Sequence, residues 1–177
     1  MKLIFIIISL LISYSSTIKS QGLDVFGLGF YDVLNESSSG DETIDIRYER
    51  RFSNSILEIG PDDDNFFFLK PFAGFEFTGE SASYFLAGIY LEDNLGQLFQ
   101  GEENKLIFTP SFGAGYYNDG SGKKLGHEIE FRTSLEISYS LENNNRIGIS
   151  LSHISNANIG DKNPGVEILS ISYQIPY

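Results

Sequence analysis

The sequence predicts an all-β protein: an eight-stranded antiparallel transmembrane β-barrel of the outer-membrane type, after a cleaved signal peptide. Three observations lead to this prediction. The amino terminus has the pattern of an export signal. The rest of the chain alternates polar and apolar residues in segments of strand length. These segments number eight, and bacterial outer-membrane barrels have an even number of strands.

The export signal comprises the first twenty residues. Lys2 precedes an apolar run over residues 3–12, and small and polar residues follow as far as Ser20. The run is shorter than the roughly 18 apolar residues of a transmembrane helix, and no later segment approaches that length. We therefore predict that residues 1–20 are removed and that residues 21–177 form a single β-barrel domain.

Eight strand segments follow one another in this domain, separated by glycine-rich or polar stretches. In the sixth segment, for example, Phe131, Thr133 and Leu135 face one way while Glu130 and Arg132 face the other. The predicted segments lie near residues 23–33, 42–52, 66–78, 82–91, 104–117, 127–141, 146–155 and 166–177.

Charged residues of both signs fall on the faces that should line the barrel interior. Asp45, Arg47 and Glu49 share such a face in the second segment. An eight-stranded barrel is just wide enough to be filled by side chains. We therefore predict a packed ionic network rather than a pore. The same reasoning pairs Glu130 with Arg132 in the sixth segment.

Composition excludes several classes of function. Without residues 1–20 the chain keeps 10 of its 12 basic residues and all 24 acidic ones, a net charge of −14. Such a charge argues against nucleic acid as a partner. There are no cysteines, so neither disulfides nor thiolate metal sites are available. The run Asp62, Asp63 and Asp64 lacks the spacing of a calcium loop and is interpreted as a solvated turn. We expect no cofactor and no metal.

The last two segments bring together side chains that could perform catalysis. His153 and Ser155 share the outer face of the seventh segment, and Glu167 begins the outer face of the eighth. In a hairpin centred near Gly160, His153 lies directly opposite Glu167, with Cβ atoms roughly 5 Å apart. Glu167 could then orient His153, and His153 could take the proton of Ser155, as in acyl-transfer enzymes.

The predicted orientation places this group in the outer leaflet. With both termini in the periplasm, the seventh strand rises towards the cell exterior and the eighth returns. His153, Ser155 and Glu167 then lie at the extracellular end of the lipid-facing wall. Ionisable residues at such a position indicate a functional site. The outer leaflet at that height holds the acyl esters of lipopolysaccharide, which makes this lipid the expected partner.

At these residues the chain resembles the lipid A 3-O-deacylases of the PagL type, also called the acyloxyacyl hydrolase family. The family has a His-x-Ser-Asn-Ala motif, a Glu fourteen positions after the His, and an Asn in the loop between them. The likeness extends weakly upstream through residues 110–115 and 130–132. The matching positions are His153, Ser155, Asn156, Ala157, Asn163 and Glu167.

The resemblance implies a metal-free esterase of the bacterial outer membrane that hydrolyses an ester-linked acyl chain of lipid A. Its catalytic residues would be the nucleophile Ser155, the general base His153 and the orienting carboxylate Glu167. Lipid A carries phosphates, so local basic residues or bridging divalent ions would be needed to bind it. Oxyanion and supporting roles would fall to Asn156, Ala157, Asn158 and Asn163, and phosphate contacts to Lys123, Lys124 and Lys162.

Two other hypotheses about the function remain open from the sequence. The first is a non-catalytic eight-stranded barrel that serves structure, adhesion or surface protection. The second is a soluble exported β-barrel that binds a small apolar ligand. The second histidine, His127, is interpreted as a solvated loop residue. The sequence leaves open whether the barrel forms a homodimer.

Overall fold

The computed structural model describes residues 21–34, 42–59, 67–95 and 105–177. The predicted signal peptide and the Asp62–Asp64 turn lie outside these ranges. Within them, no helix is both long and apolar enough to span a bilayer. The described strands are β1 (Leu23–Tyr31), β2 (Thr43–Arg51), β3 (Leu57–Ile59), β4 (Phe67–Thr78), β5 (Ser83–Tyr90), β6 (Asp93–Asn94), β7 (Leu106–Asn118), β8 (Ile129–Ser140), β9 (Arg146–Ser155) and β10 (Val166–Pro176).

Eight of these strands close into an antiparallel barrel. The order around the wall is β1, β2, β4, β5, β7, β8, β9 and β10, and β10 pairs back with β1. This confirms the predicted fold class, and each predicted segment agrees with its strand to within two residues at either end. The short strands β3 and β6 were not predicted; they extend the wall along β4 and β7.

The alternation of side chains separates a polar interior from an apolar exterior. Arg132 is fully buried and forms ion pairs with Glu49 of β2 and Glu76 of β4. Arg51 reaches Glu136 at 2.7 Å and Glu49 at 3.1 Å. The predicted packed ionic network is therefore confirmed. Outside, leucine, isoleucine and phenylalanine side chains of the same strands are 40% or more exposed, as a lipid-facing wall requires.

One interior pairing was predicted wrongly. Glu130 lies on the inner face and is fully buried, but Arg132 makes its ion pairs with Glu49 and Glu76 instead. Neither carboxylate oxygen of Glu130 has a hydrogen-bond partner among the described residues. The reason is geometric, because the guanidinium of Arg132 extends across the lumen to strands that close the barrel on its far side.

The interior changes character towards the end of the barrel where β9 meets β10 in a loop. There the buried residues are mainly aromatic and aliphatic, and the Tyr31 and Tyr117 hydroxyls lie 2.8 Å apart. Above them Lys123 donates to Asp32 at 2.7 Å. This layer separates the ionic lumen from the β9–β10 loop, which carries the predicted supporting residues Asn156, Ala157, Asn158 and Asn163.

Candidate active site on the outer wall

The β9–β10 hairpin has the register that the sequence predicted. His153 pairs directly with Glu167, and His153 Nδ1 lies 2.9 Å from Glu167 Oε1. Since a carboxylate can only accept, Nδ1 carries the hydrogen and Nε2 is left as the acceptor in the neutral ring. The side chains are 49% and 30% exposed and face away from the lumen. The geometry therefore leaves Nε2 of His153 available to accept a proton.

Ser155 lies near this pair on the outer face of β9. It is the last residue of β9, two positions beyond His153 and on the same face of the strand. On its other side it pairs with Phe131 of β8, whose ring stacks on Phe112 at 6.1 Å. The hydroxyl of Ser155 thus lies where an aromatic wall meets the loop, at the boundary between apolar and polar surroundings.

Asn156, the next residue, is fully buried and holds the loop in place. Its side-chain nitrogen donates to the carbonyls of Leu125 at 2.9 Å and Lys162 at 2.7 Å. Its side-chain oxygen accepts from the backbone N–H of Asn158 at 2.9 Å. Both donor hydrogens are used, so the structure associates Asn156 with support of the loop rather than with direct binding of an oxyanion.

Two glycines let the β7–β8 loop and the β9–β10 loop approach each other around Asn156. An added Cβ on Gly126 would lie 2.2 Å from the Lys162 carbonyl oxygen, and one on Gly160 would lie 2.5 Å from the Gly126 carbonyl oxygen. Gly126 also has a φ of +97°, which a side chain would disfavour. This role of Gly126 was not predicted, because no local pattern in the sequence distinguishes it from an ordinary loop glycine.

The remaining supporting positions offer hydrogen-bond donors. Ala157 and Asn158 both have positive φ, 54° and 65°, so the chain turns sharply after the strand. Asn163 accepts from the backbone N–H of Asn156 at 3.0 Å, and its side-chain nitrogen makes one long contact of 3.3 Å with Asn158. Among the described residues the backbone N–H of Ala157 has no partner. Ala157 and Asn163 therefore keep hydrogen-bond donors that are less occupied than those of Asn156.

Gly165 forms a close wall beside His153. Its φ is +64°, and an added Cβ would lie 2.8 Å from Cε1 and 3.5 Å from Nε2 of the imidazole. The ring is therefore held between Glu167 on one side and bare backbone on the other. The contact of Gly165 with His153 depends on the folded hairpin and could not be predicted from the sequence.

The three predicted phosphate contacts differ in their surroundings. Lys123 is occupied by its ion pair with Asp32. Lys124 and Lys162 are exposed and have no ion pair within the part of the chain that the structure describes.

His127 is exposed, as expected, and its Nδ1 accepts from the backbone N–H of Ile129 at 2.8 Å. No described group of three or more His, Cys, Asp or Glu residues is arranged to hold a metal ion.

Comparison with known proteins gives a family match for part of the chain and a fold match for most of it. The model of the family "Lipid A 3-O-deacylase (PagL)" matches residues 90–176, which include His153, Ser155 and Glu167. This carboxy-terminal segment is similar to the lipid A 3-O-deacylase family. The lipid A deacylase PagL of Bordetella bronchiseptica is 37% identical over 51 residues. That match spans 29% of this chain and 29% of the relative's length.

Solved structures agree with the barrel beyond the deacylase-family segment. The crystal structure of the outer membrane enzyme PagL superposes with a TM-score of 0.64 at 15% identity, over 88% of this chain and 99% of that one. A de novo designed transmembrane β-barrel gives a TM-score of 0.54 at 11% identity, over 92% of this chain and 100% of the design. At these identities the likeness shows the fold. Together with the deacylase family match, it places the chain in the bacterial outer membrane.

Proposed function

We propose that this protein is an outer-membrane esterase that removes an ester-linked acyl chain from lipid A by 3-O-deacylation. The observation that carries the proposal is the 2.9 Å contact between Glu167 and His153 on the lipid-facing wall, with Ser155 two residues along the same face. A carboxylate, an imidazole and a hydroxyl in this order form the arrangement of a serine esterase. The family match of residues 90–176 supports the substrate class.

The reaction follows from this arrangement. Ser155 Oγ attacks the ester carbonyl carbon while Nε2 of His153 takes the hydroxyl proton. Glu167 holds Nδ1–H and stabilises the imidazolium that forms. His153 then returns the proton to the alcohol oxygen of the lipid as the ester bond breaks, which leaves the acyl chain on Ser155. Water attacks this acyl-enzyme with the same base, and a free fatty acid leaves.

The negative charge that develops on the carbonyl oxygen needs donors that are in place beforehand. The backbone N–H of Ala157 and the side-chain nitrogen of Asn163 are the donors that we assign to this role. Asn156 supports both, because its backbone N–H fixes Asn163 and its side-chain oxygen fixes the turn after Ala157. Removal of one such donor in a serine hydrolase costs about 10²–10³-fold in kcat.

The substrate reaches this site from the membrane and not from the lumen. The catalytic side chains lie on the outer wall, where acyl esters of the outer leaflet are at hand. Lys124 and Lys162, which are exposed on the two loops above the site, are placed to meet the phosphates of lipid A.

Removal of residues 1–20 on export belongs to the proposal and is tested by the intact mass of the mature protein. Whether two copies of the barrel form a homodimer is tested by the mass of the protein–detergent complex.

The decisive experiment is mass spectrometry of purified lipid A after incubation with the refolded protein and its Ser155→Ala form. Ser121→Ala, in an exposed loop at the same end of the barrel, is the matched control. We expect loss of one ester-linked hydroxyacyl chain with the unmodified protein and with the control only. If no lipid A loses a chain, the hypothesis of a non-catalytic barrel is favoured instead. Loss with all three proteins would show that Ser155 is not the nucleophile.

A further inference from the structure

A groove with apolar walls crosses the lipid-facing surface beside the candidate active site. Its volume is about 320 Å³, within the size range of ligand pockets. The floor is the backbone of Gly29 and Ser170. Both residues are at inward-facing positions of their strands, so no side chain projects into the groove from them. The walls are the outward side chains of Leu28, Phe30, Ile44, Ile149, Leu169 and Ile171.

The groove begins near the site on β10 but is displaced around the wall. Leu169 follows Glu167 by two residues on the same face of β10 and begins the groove. Phe30 pairs with Leu169 and Ile44 pairs with Phe30, so the groove extends onto β1 and β2. These strands lie two and three positions from the strand of Ser155, about 10–14 Å around the wall at ~4.8 Å per strand. Apart from Ile149, which lies on β9 itself, the groove therefore lies beside the strand of the catalytic serine rather than beneath Ser155.

This displacement bears on which lipid chain the groove can hold. A chain whose ester is at Ser155 and which follows the bilayer normal would not pass over β1 and β2. Lipid A carries several acyl chains side by side, so a chain further along the same molecule would stand at such a lateral distance. We infer that the groove holds a second, uncleaved acyl chain of the substrate while the reacting ester lies at Ser155. This inference rests on the proposed function.

The groove would act by orientation. Lipid tails are as apolar as leucine, so moving a chain from bilayer to groove gains little hydrophobic free energy. A shaped channel instead fixes the rotation of the lipid about the bilayer normal and thereby places the ester against Ser155. Misplacement of a reacting group by about 1 Å can cost ~10²-fold in rate. The groove is accordingly a determinant of specificity for lipids that carry more than one chain.

The test compares two substrates in the same detergent: hexa-acylated lipid A and the p-nitrophenyl ester of a single fatty acid. Leu28→Trp and Ile171→Trp fill the groove, and Phe30→Ala removes one wall. Ile137→Trp, on the lipid face of β8 and outside the groove, is the matched control. Heat-modifiable gel mobility verifies that each barrel is folded. The measured quantity is the ratio of lipid A hydrolysis to single-chain ester hydrolysis.

We expect this ratio to fall about tenfold in the groove variants, consistent with a lost orientation effect, and to stay unchanged in the control. An unchanged ratio in folded groove variants would overturn the inference and leave the groove as ordinary lipid-covered wall. A proportional fall on both substrates would also overturn it, because the groove would then serve the cleaved chain. A protein without Ser155-dependent activity on either substrate would instead overturn the proposed function, and with it this inference.

Discussion

Glu167 Oε1 and His153 Nδ1 lie 2.9 Å apart across the β9–β10 pair, on the face of the barrel that meets lipid. The contact joins two strands that are adjacent in sequence, so a short hairpin is enough to form it. Its position on the outer wall gives the proposed site direct access to the membrane.

Replacement of Glu167 tests the orienting contact. In Glu167→Gln the side chain keeps its size but no longer stabilises a positive imidazole, so we expect deacylation to fall about 10²–10⁴-fold. The side chain is partly exposed, and heat-modifiable mobility should be unchanged. Glu128→Gln, in the exposed loop before β8, is the control. Full activity of Glu167→Gln on lipid A would remove Glu167 from the mechanism.

Gly165 tests whether the wall beside the imidazole matters. Gly165→Ala places a methyl group 2.8 Å from Cε1 of His153 and forces a side chain into positive φ, at about 1–2 kcal/mol of strain. We expect a large loss of kcat in a barrel that still folds. Gly122→Ala is the matched control, since its added Cβ would meet only ordinary contacts at 3.4 Å. Equal activities of the two variants would show that the ring position tolerates displacement.

Asn156 tests the interlock between the two loops. Asn156→Ala leaves the carbonyls of Leu125 and Lys162 and the N–H of Asn158 without their partner, and each such buried loss costs about 1–3 kcal/mol. We expect faster proteolysis of the β9–β10 loop and a fall in kcat, with the barrel strands still protected. Limited proteolysis followed by peptide mass analysis locates the change. A loop as resistant as in the unmodified protein would contradict the supporting role.

Arg132 tests the ionic interior. Arg132→Met leaves Glu49 and Glu76 buried without their shared cation, which in comparable cases destabilises by about 3–5 kcal/mol. Urea unfolding in detergent micelles measures the loss. Arg50→Met, on the exposed outer face beside Asp24, should lower stability far less. If the two variants unfold at the same urea concentration, the ionic network does not stabilise the barrel.

Glu92 gives the barrel a defined dependence on pH. Burial raises the pKa of this carboxyl, but Arg146 and Lys70 outweigh burial and bring the pKa below its ordinary value of 4.5. A pKa that is lower in the folded state stabilises the fold above the unfolded value, and this stability is lost as pH falls through the folded value. We expect unfolding to become easier below pH 4.5, and Glu92→Gln to flatten this part of the profile. A parallel profile in Glu92→Gln would assign the acid sensitivity to other carboxylates.

The strands and their faces were determined by the sequence alone. A barrel wall has lipid on one side and packed side chains on the other, so period-two alternation marks both the strands and their orientation. The same parity placed His153, Ser155 and Glu167 on one face, because a hairpin between neighbouring strands depends only on local register. Asp45, Arg47 and Glu49 were assigned to the lumen for the same reason, and all three are buried there.

Tertiary structure decided the contacts that cross the barrel or join distant loops. Arg132 meets Glu49 and Glu76, which are 83 and 56 residues away, because closure of all eight strands brings these side chains together. Lys123 is held by Asp32 at a separation of 91 residues, whereas Lys124 and Lys162 are exposed. The apolar groove likewise needs β1 and β2 beside β10. Alternation states which face a residue takes, but only the summed registers of a closed wall determine which residues meet.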